Sequence, residues 1–283
     1  MTQVLNQIPD AQKLMLKAAG TLMRRPKGRP ALPELAVQVS DVGADAKHLA
    51  AYAEVCGFRN IEQLPITFPH VMAGALHLHL MTQKSFPFPM LGLVHIRNDI
   101  RQVRPLGANE RFDLHVRIGE SRDVRQGIEF DLQTEARIGD AAIWSETSTI
   151  LHRMPGPKGG ATQRPISEPA TLADYRQFNA PTDIGRRYAS VGLDYNPIHL
   201  SPIPAKLFGF KRHIAHGMWS MARCAALLEQ ELNAPPTALK VQFKQPLFLP
   251  GRVALKFEQA GNILRFALLS TSSSKTHLGG ELS

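Results

Sequence analysis

Residues 216–232 read HGMWSMARCAALLEQEL and contain the apolar pattern that decides the fold. The apolar side chains recur at steps of three and four, which is the spacing of one buried face of an α-helix. They are Met218, Met221, Ala225, Leu228 and Leu232. An earlier stretch, PHVMAGALHLHLMT at 69–82, is apolar nearly all round, so we expect a second long helix that is buried on most of its sides.

Strand-like segments follow each of the two predicted helices. Between residues 112 and 118, apolar and polar residues alternate, which is the period of a half-buried strand. The apolar positions are Phe112, Leu114, Val116 and Ile118. Such segments lie at 92–103, 111–120, 127–138 and 142–154 after the first helix and at 238–248, 251–260 and 263–274 after the second. One long helix followed by antiparallel strands, found twice, predicts an α+β architecture in which each sheet wraps its own helix.

The chain contains a faint internal repeat that agrees with this doubled pattern. YAEVCGFRN at 52–60 matches YASVGLDYN at 188–196, and the aligned pairs include Tyr52 with Tyr188. A Pro-, Gly- and Ser-rich passage, PGPKGGATQRPISEPA, lies between the two copies and has no periodic apolar face. The predicted organisation is therefore a first unit at 1–154 that begins with a helical extension, a linker at 155–170 and a second unit at 171–283. Short helices are expected to lead into the two units at 45–56 and 171–191.

The composition of the 283-residue chain is that of a folded globular protein, with 43% apolar and 20% charged residues. No apolar run reaches the roughly 18 to 20 residues of a membrane span, so we expect no stable membrane insertion. Residues 1–20 contain an acid and lack a continuous apolar core, unlike a secretory signal. Cys56 and Cys224 are the only cysteines, too few for a disulfide framework, and they favour a cytoplasmic location.

The formal net charge of +9 and the isoelectric point near 9.8 favour an acidic partner. Part of the excess lies in RRPKGRP at 24–30, which is either a solvated basic linker or a stretch that attracts an acidic carrier, a phosphate-bearing cofactor or a membrane surface. No basic stripe is interleaved with aromatic residues and no nucleic-acid-binding motif occurs, so nucleic acid is not an expected partner.

The stretch LDYNPIHL at 193–200 brings an acid, an amide and an imidazole close together in sequence. Pro197 opposes a continuous helix through them, and Asn196 before it is pushed towards an extended conformation. A bent loop can aim Asp194 and His199 at one point, which a helix or strand at this spacing does not do. Taken alone, such a loop is more often a turn than a site, because Asp, Asn and Pro are all turn formers.

Residues 188–228, YASVGLDYNPIHLSPIPAKLFGFKRHIAHGMWSMARCAALL, resemble the signature of MaoC-like dehydratases and R-specific enoyl-CoA hydratases. That signature has an Asp-x-Asn-Pro-[Ile/Leu]-His loop, a Gly-Phe pair, and Ile-[Ala/Val]-His-Gly-Met at the start of the central helix. The whole chain is most similar to the two-hotdog 3-hydroxyacyl-thioester dehydratases of the mycobacterial type. The resemblance implies a double hotdog fold, in which the two halves form an internal pseudo-dimer with one sheet continuous across both.

The resemblance also implies roles for four residues of the second half. Asp194 and His199 are the catalytic pair that holds the reacting water, and the order in which they act is left open. An Asp with a His suits this chemistry, because moving water on or off the substrate needs a proton moved at Cα and a hydroxyl at Cβ. Gly217 supplies a helix-start N–H to the negative charge that develops on the thioester oxygen. Asn196 orients the loop, and His216 is expected to anchor the helix start.

The implied activity is that of a hydro-lyase that interconverts (3R)-3-hydroxyacyl thioesters and trans-2-enoyl thioesters. The implied partner is an acyl-CoA or an acyl carrier protein, with no metal and no cofactor beyond the coenzyme A or phosphopantetheine of the substrate. Two alternatives remain, a hotdog acyl-CoA thioesterase and a non-catalytic acyl-thioester-binding subunit. Lys206, Lys211 and Arg212 either contact the phosphates of coenzyme A or belong to a solvated basic loop. The number of chains is left open, with a homodimer among the candidates.

The first half lacks the acid–base pair, because at the offset of the repeat the two catalytic positions fall on Phe58 and Gln63. Because this half has no catalytic residues to keep in place, it can provide a pocket for a longer acyl chain. We expect Gly74 or Ala75, on the first long helix, to line that pocket.

The sequence departs from the family signature at two places. The Ser-Gly that usually precedes the Asp is here Gly192-Leu193, so we expect the loop to differ in detail. A small polar residue that sometimes follows in the central helix is here Ala225, which we attribute to helix packing.

Overall fold

The computed structural model describes residues 2–26, 28–155, 172–273 and 275–283. In these residues, eleven strands form a single sheet with the order β1-β2-β4-β5-β6-β3-β8-β11-β10-β9-β7. The strands are β1 (Thr2–Leu5), β2 (Ala36–Gly43), β3 (Val94–Gln102), β4 (Arg111–Val124), β5 (Gly127–Ile138), β6 (Ala141–Arg153), β7 (Asp174–Ala180), β8 (Ala238–Phe243), β9 (Gly251–Ala260), β10 (Ile263–Ser270) and β11 (Thr276–Leu282). The helices are α1 (Ala11–Gly20), α2 (Ala46–Cys56), α3 (Phe68–Thr82), α4 (Ile184–Gly192), α5 (Pro197–Leu200), α6 (Pro202–Leu207) and α7 (Gly217–Leu228).

The two halves of the sheet have the same topology. From the outer edge to the centre, the order β2-β4-β5-β6-β3 in the first half matches β7-β9-β10-β11-β8 in the second. If β1 is set aside, the first strand of each half lies outermost, the second lies at the centre of the whole sheet, and the other three fill the space between. An extra strand, β1, pairs in parallel with β2. This topology confirms the predicted α+β double hotdog, and all the strand-like segments of the sequence are found as strands.

β3 and β8 are the equivalent strands of the two halves, and they pair antiparallel at the centre of the sheet. The paired residues run from Arg97 opposite Gln242 to Arg101 opposite Ala238. Because this ladder joins the halves, the sheet is continuous across both, as expected for an internal pseudo-dimer.

α3 and α7 are the central helices, and both contribute to one continuous hydrophobic core. Pro69 suits the first turn of α3, because an N–H at that position has no partner within the helix. α3 buries residues on most of its circumference, as its apolar composition predicts. The helix predicted at 216–232 is confirmed as α7, continued by a 3₁₀ turn at Glu229–Glu231.

Arg24 closes the C-terminal end of α3. Its guanidinium donates hydrogen bonds of 2.8–3.1 Å to four backbone carbonyls, those of Met81, Thr82, Gln83 and Phe88. The last carbonyls of a helix lack partners within the helix and carry partial negative charge, so a cation there is stabilising. The first residue of the basic stretch is therefore a helix cap and not part of a solvated linker.

The predicted repeat is visible in the packing of α2 against α4. Tyr52 in α2 and Tyr188 in α4 occupy equivalent places, and their ring centroids lie 6.2 Å apart in the buried core. The end of α4 is also tied to α2, because the Nε2–H of His48 donates a 2.6 Å hydrogen bond to the carbonyl of Val191. The first half therefore supports the segment that leads into the 193–200 loop.

The helix expected at 171–191 is only partly correct. Residues Asp174–Ala180 form β7, which pairs along its length with β9 at the edge of the sheet. The hydrogen bonds of this ladder prevail over a weak helical pattern, and α4 begins only at Ile184.

β11 was not expected from the sequence. Gly279 and Gly280 lie inside it, and glycine is a poor strand former with no side chain to mark an alternating pattern. A Cβ at Gly280 would lie 2.4 Å from the carbonyl oxygen of Lys240, so the close approach of β8 requires glycine there.

Two expectations from composition concern the linker and the membrane. Apart from Pro155, the predicted linker at 155–170 lies outside the described residues, and the division into units at 1–154 and 171–283 stays a prediction. Across the described ranges, no helix combines the length and the apolar character that crossing a membrane requires.

Candidate functional site

The loop after α4 begins with a strained residue. Leu193 has φ 55° and ψ 22°, a left-handed conformation that glycine adopts easily and that a residue with a Cβ adopts at a cost. Because the family signature has glycine at this place, the departure at Leu193 keeps the turn but adds strain. Contacts of Leu193 with the hydrophobic core offset that strain. The turn is followed at once by Asp194.

Asn196 shapes the rest of the loop. Its extended backbone precedes Pro197, and its side-chain oxygen accepts a 3.4 Å hydrogen bond from the N–H of Ile198, which caps the one-turn helix α5. Its own N–H donates a 3.0 Å hydrogen bond to the Asp194 carboxylate. Asn196 therefore has the contacts of a loop-orienting residue, and the predicted bend is confirmed.

His199, on α5, is buried and held in one tautomer. Its Nδ1 lies 2.9 Å from the carbonyl oxygen of Ile214. Since a carbonyl oxygen can only accept, Nδ1 carries the proton and Nε2 is left as the basic nitrogen. Burial lowers the pKa of His199, and the nearby Asp194 carboxylate opposes this effect only in part. The side chain is therefore a neutral imidazole near pH 7, with a free lone pair at Nε2.

A close backbone contact fixes α5 against α4. A Cβ placed on Gly185 would lie 2.0 Å from the carbonyl oxygen of His199, so only glycine permits this approach. Gly185 was not among the residues expected from the sequence. The available signal was a glycine inside a helical segment, which often marks close packing.

His216 contacts both members of the predicted pair. Its Nε2–H donates a 3.0 Å hydrogen bond to the backbone carbonyl of Asp194, and its ring stacks on that of His199 with centroids 3.8 Å apart. Burial lowers the pKa of His216 to about 3, so its ring is neutral. His216 is the residue before α7 and so anchors the helix start as predicted, but it also holds the loop.

The carboxylate of Asp194 lies at the exposed edge of this cluster, with its side chain 49% exposed. The protein around it desolvates the carboxyl and raises its pKa, but its interactions with His216 and His199, together with the hydrogen bond from the N–H of Asn196, outweigh this effect. The net result is a pKa below the ordinary value, so Asp194 is ionised near pH 7 and presents an acceptor towards solvent.

Gly217 is the first residue of α7, and no side chain caps the start of this helix. The first N–H groups of a helix have no partner within it and carry partial positive charge, so the N–H of Gly217 can meet an anionic oxygen. A Cβ on Gly217 would lie 3.0 Å from the ring of Phe243, tighter than an ordinary contact. Glycine at this position therefore also serves the packing of β8 against α7.

The ligand atoms of Asp194, His199 and His216 all lie within 4.8 Å of one another, a spacing that a metal ion can bridge. Imidazole lone pairs lie in the ring plane, however, and the two rings are stacked with only 29° between their planes. Such lone pairs lie in nearly parallel planes, and the Nε2 of His216 already carries the proton that it donates to the carbonyl of Asp194, which does not suit convergence on one tetrahedral centre. The arrangement favours proton transfer over metal binding.

The predicted basic residues lie apart from this cluster. Lys206 belongs to α6, and Lys211 and Arg212 lie in the turn that follows it. All three side chains are exposed, and within the described part of the chain none of them forms an ion pair. Their place in the chain is directly after the loop that contains Asp194 and His199.

Phe58 and Gln63 line a different cavity, of about 320 Å³, that includes Glu229 and contains none of the residues of the cluster. Burial raises the pKa of Glu229 to about 7. No histidine lines this cavity in the described residues, so the first half has no copy of the acid–base pair there.

The fold and the cluster together define a double hotdog protein with an acid–base pair at the start of a central helix. Residues 161–279 match the family described as MaoC like domain. The 3-hydroxyacyl-thioester dehydratase X of Mycobacterium tuberculosis is 35% identical over 257 residues, which cover 89% of each chain. The crystal structure of HtdX from Mycobacterium tuberculosis is similar with a TM-score of 0.75 at 31% identity, over 87% of this chain and 98% of that one.

A shorter match is also informative. The (R)-specific enoyl-CoA hydratase of Aeromonas caviae is 32% identical over 74 residues, which are 25% of this chain and 55% of that protein. With a relative 35% identical over 89% of its length, the chain belongs to the MaoC-like dehydratase family, and the resemblance given by the sequence is confirmed.

Proposed function

We propose that the protein is a hydro-lyase that interconverts (3R)-3-hydroxyacyl thioesters and trans-2-enoyl thioesters. One observation carries the proposal: the free Nε2 of a neutral His199 lies beside an ionised Asp194, next to the uncapped start of α7. The activities named for the two relatives, a 3-hydroxyacyl-thioester dehydratase and an enoyl-CoA hydratase, support the same reaction class.

In the proposed mechanism, Asp194 and His199 hold the reacting water between them. One of them accepts a proton as the water oxygen bonds to Cβ, and the C=C electrons move towards the thioester carbonyl. The N–H of Gly217 stabilises the negative oxygen, and the pair then delivers one proton to Cα. The pair takes one proton and gives one, so it ends each turnover as it began, and dehydration runs the same steps in reverse.

The carrier of the acyl group is coenzyme A or the phosphopantetheine of an acyl carrier protein. Lys206, Lys211 and Arg212 are exposed beside the loop and are our candidates for contacts with phosphate or with an acidic carrier surface. In this proposal the first unit, residues 1–154, supports the site and accommodates the acyl chain. A cytoplasmic location is consistent with Cys56 and Cys224, which are unpaired and buried. A homodimer stays a prediction.

The test is a hydration assay with enoyl-CoAs and with enoyl-acyl carrier protein. The decrease in enoyl absorbance measures the rate of hydration. We expect turnover, and chiral chromatography should identify the product as the R enantiomer. A thiol reagent in the same reaction checks the alternative: release of free thiol without hydration indicates a thioesterase. Binding of the thioester without either reaction indicates a non-catalytic subunit.

A further inference from the structure

The connection between the loop and the central helix is longer in the second half than in the first. In the first half, Gln63 matches His199 in the repeat and lies five residues before Phe68, the first residue of α3. In the second half, His199 lies eighteen residues before Gly217, the first residue of α7. The additional chain contains α6 and the turn after it, so it belongs to the half with the proposed catalytic pair.

Both ends of this additional segment are fixed at the site. The N–H of Ile214 donates a 3.2 Å hydrogen bond to the carbonyl of Ile198, and the carbonyl of Ile214 accepts the hydrogen bond from His199. Within α6, Ala205 is fully buried and anchors the helix. A molecule that contacts the outer side of α6 is therefore held beside the proposed catalytic pair.

The outer side of α6 exposes apolar side chains. Ile203 and Leu207 are four residues apart, so they lie on the same face of the helix, and they are 77% and 83% exposed. Phe208 follows directly and is 38% exposed. Single exposed apolar side chains are common, but a patch of them marks a surface that contacts another molecule.

The charged residues around this patch are almost all basic. Between residues 184 and 212, Asp194 is the only acid, whereas five cations occur and all five are exposed. They are Arg186, Arg187, Lys206, Lys211 and Arg212. An apolar centre surrounded by cations complements a protein surface on which carboxylates surround apolar side chains. We call Ile203, Lys206, Leu207, Phe208, Lys211 and Arg212 the α6 surface.

The shape of the α6 surface favours a protein over a small molecule or a lipid bilayer. A pocket buries most of a small ligand, whereas a side chain as exposed as Leu207 projects from the protein. A helix of six residues is also too short to present the long apolar face of a helix that lies in a membrane interface. Of the two carriers of the proposed reaction, the acyl carrier protein is the one that is an acidic protein.

We propose that the α6 surface is the docking site of an acyl carrier protein, which delivers the acyl group to the adjacent loop as its phosphopantetheine thioester. The inference rests on the hydro-lyase proposed above and names the carrier of its substrate. The apolar side chains form the centre of the contact, and the cations around them pair with carboxylates of the carrier protein.

The test compares enoyl-acyl carrier protein with the matching enoyl-CoA as substrates of Leu207→Glu. Because Leu207 is exposed, its replacement removes no packing within the protein, but it adds a negative charge to the contact. Val103→Glu is the matched control, since Val103 is 76% exposed in the bend after β3. We expect kcat/KM for the carrier-protein substrate to fall by about tenfold or more in Leu207→Glu. The enoyl-CoA, and both substrates in the control, should change little.

A binding measurement makes the inference independent of activity. Calorimetric titration with holo-acyl carrier protein should show binding that weakens as salt is added and that is lost in Leu207→Glu. The inference is overturned by equal losses for the two substrates, or by an unchanged Kd for the carrier protein in the variant. It is also overturned if Leu207→Glu loses binding to anionic phosphatidylglycerol vesicles and not to the carrier protein. Absence of hydration with either substrate overturns the proposed function instead, and the titration then decides on the docking site.

Discussion

The imidazole of His216 lies flat on that of His199, with ring centroids 3.8 Å apart. The same His216 side chain hydrogen bonds to the backbone of Asp194, so one neutral ring holds both members of the proposed catalytic pair. The relative position of the acid and the base therefore depends on a third residue that never needs to change its protonation state.

The first prediction tests the pair itself. Asp194→Asn and His199→Ala should each lower the hydration rate by about 10²–10⁴-fold, because positioned acid–base groups contribute that much and the two act as a unit. The double variant should lose little more than either single variant. Steady-state kinetics measures the loss, and circular dichroism checks the fold. Activity within a few-fold of the unmodified protein in either variant contradicts the assignment.

The second prediction separates the two contacts of His216. His216→Phe keeps a ring on His199 but loses the hydrogen bond to Asp194, and His216→Ala loses both. A hydrogen bond is worth about 1 kcal/mol, so we expect kcat/KM to fall by roughly 5- to 10-fold for Phe and further for Ala. Equal losses in the two variants would show that the ring stack contributes nothing.

The third prediction concerns the backbone contact beneath His199. Gly185→Ala places a methyl group 2.0 Å from the carbonyl oxygen of His199, so α5 must shift. We expect a loss of stability of about 1–3 kcal/mol and a fall in kcat that exceeds the change in KM. Gly74→Ala is the control, because a Cβ there meets no atom within 4 Å. Alanine at that helix position should stabilise the protein by up to about 1 kcal/mol.

The fourth prediction concerns acyl chain length. His70, Gly74 and Leu78 form a partly exposed stripe on α3, whereas Ala75 is buried in a small cluster against α1. Of the two pocket positions expected from the sequence, Gly74 is therefore the one that faces open space. Gly74→Leu should lower kcat/KM for long enoyl-CoAs more than for short ones, whereas Gly74→Ala should affect both little.

Gln63→Ala is the matched test of the other cavity. Because Gln63 lines a cavity that does not include Asp194, His199 or His216, turnover of a short enoyl-CoA should stay within a few-fold of the unmodified protein. An inactive Gln63→Ala variant that remains folded would mean that this side of the first half carries chemistry. Equal losses for short and long substrates in Gly74→Leu would mean that the helix substitution acts through stability alone.

The fifth prediction concerns acid stability. His77 and His216 have pKa values lowered to about 3 by burial, against an ordinary value of 6.5. The unfolded chain therefore binds protons more readily than the folded one between these values. The two neutral histidines therefore make their full contribution to the free energy of unfolding above pH 6.5, and this contribution is lost as the pH falls towards 3. Thermal unfolding should show Tm falling over this range, and His77→Gln should make the fall less steep.

Features that depend on residues close together in the sequence could be predicted, whereas features that depend on residues far apart in the sequence could not. Asp194 and His199 could be found because they share one short loop whose Asn and Pro are local turn signals. The alternating strands are local patterns as well. Gly185 and the hydrogen bond that His70 donates to Glu146 were missed because each depends on a partner brought near only by folding: Glu146 lies 76 residues from His70. β11 was missed because its neighbours in the sheet, rather than its own residues, define it.

The pairing of β3 with β8 also decides how the site is assembled. A sheet edge presents unpaired N–H and C=O groups that recruit any matching strand, and each half alone would expose such an edge. If the two halves were separate chains, formation of the site would depend on the concentration of both chains. It would also depend on whether each half paired with the other half or with a second copy of itself. Here the chain supplies the partner at a fixed ratio of one to one. Dilution therefore cannot separate the proposed support in the first half from the proposed chemistry in the second, and two copies of the second half cannot compete for the same edge.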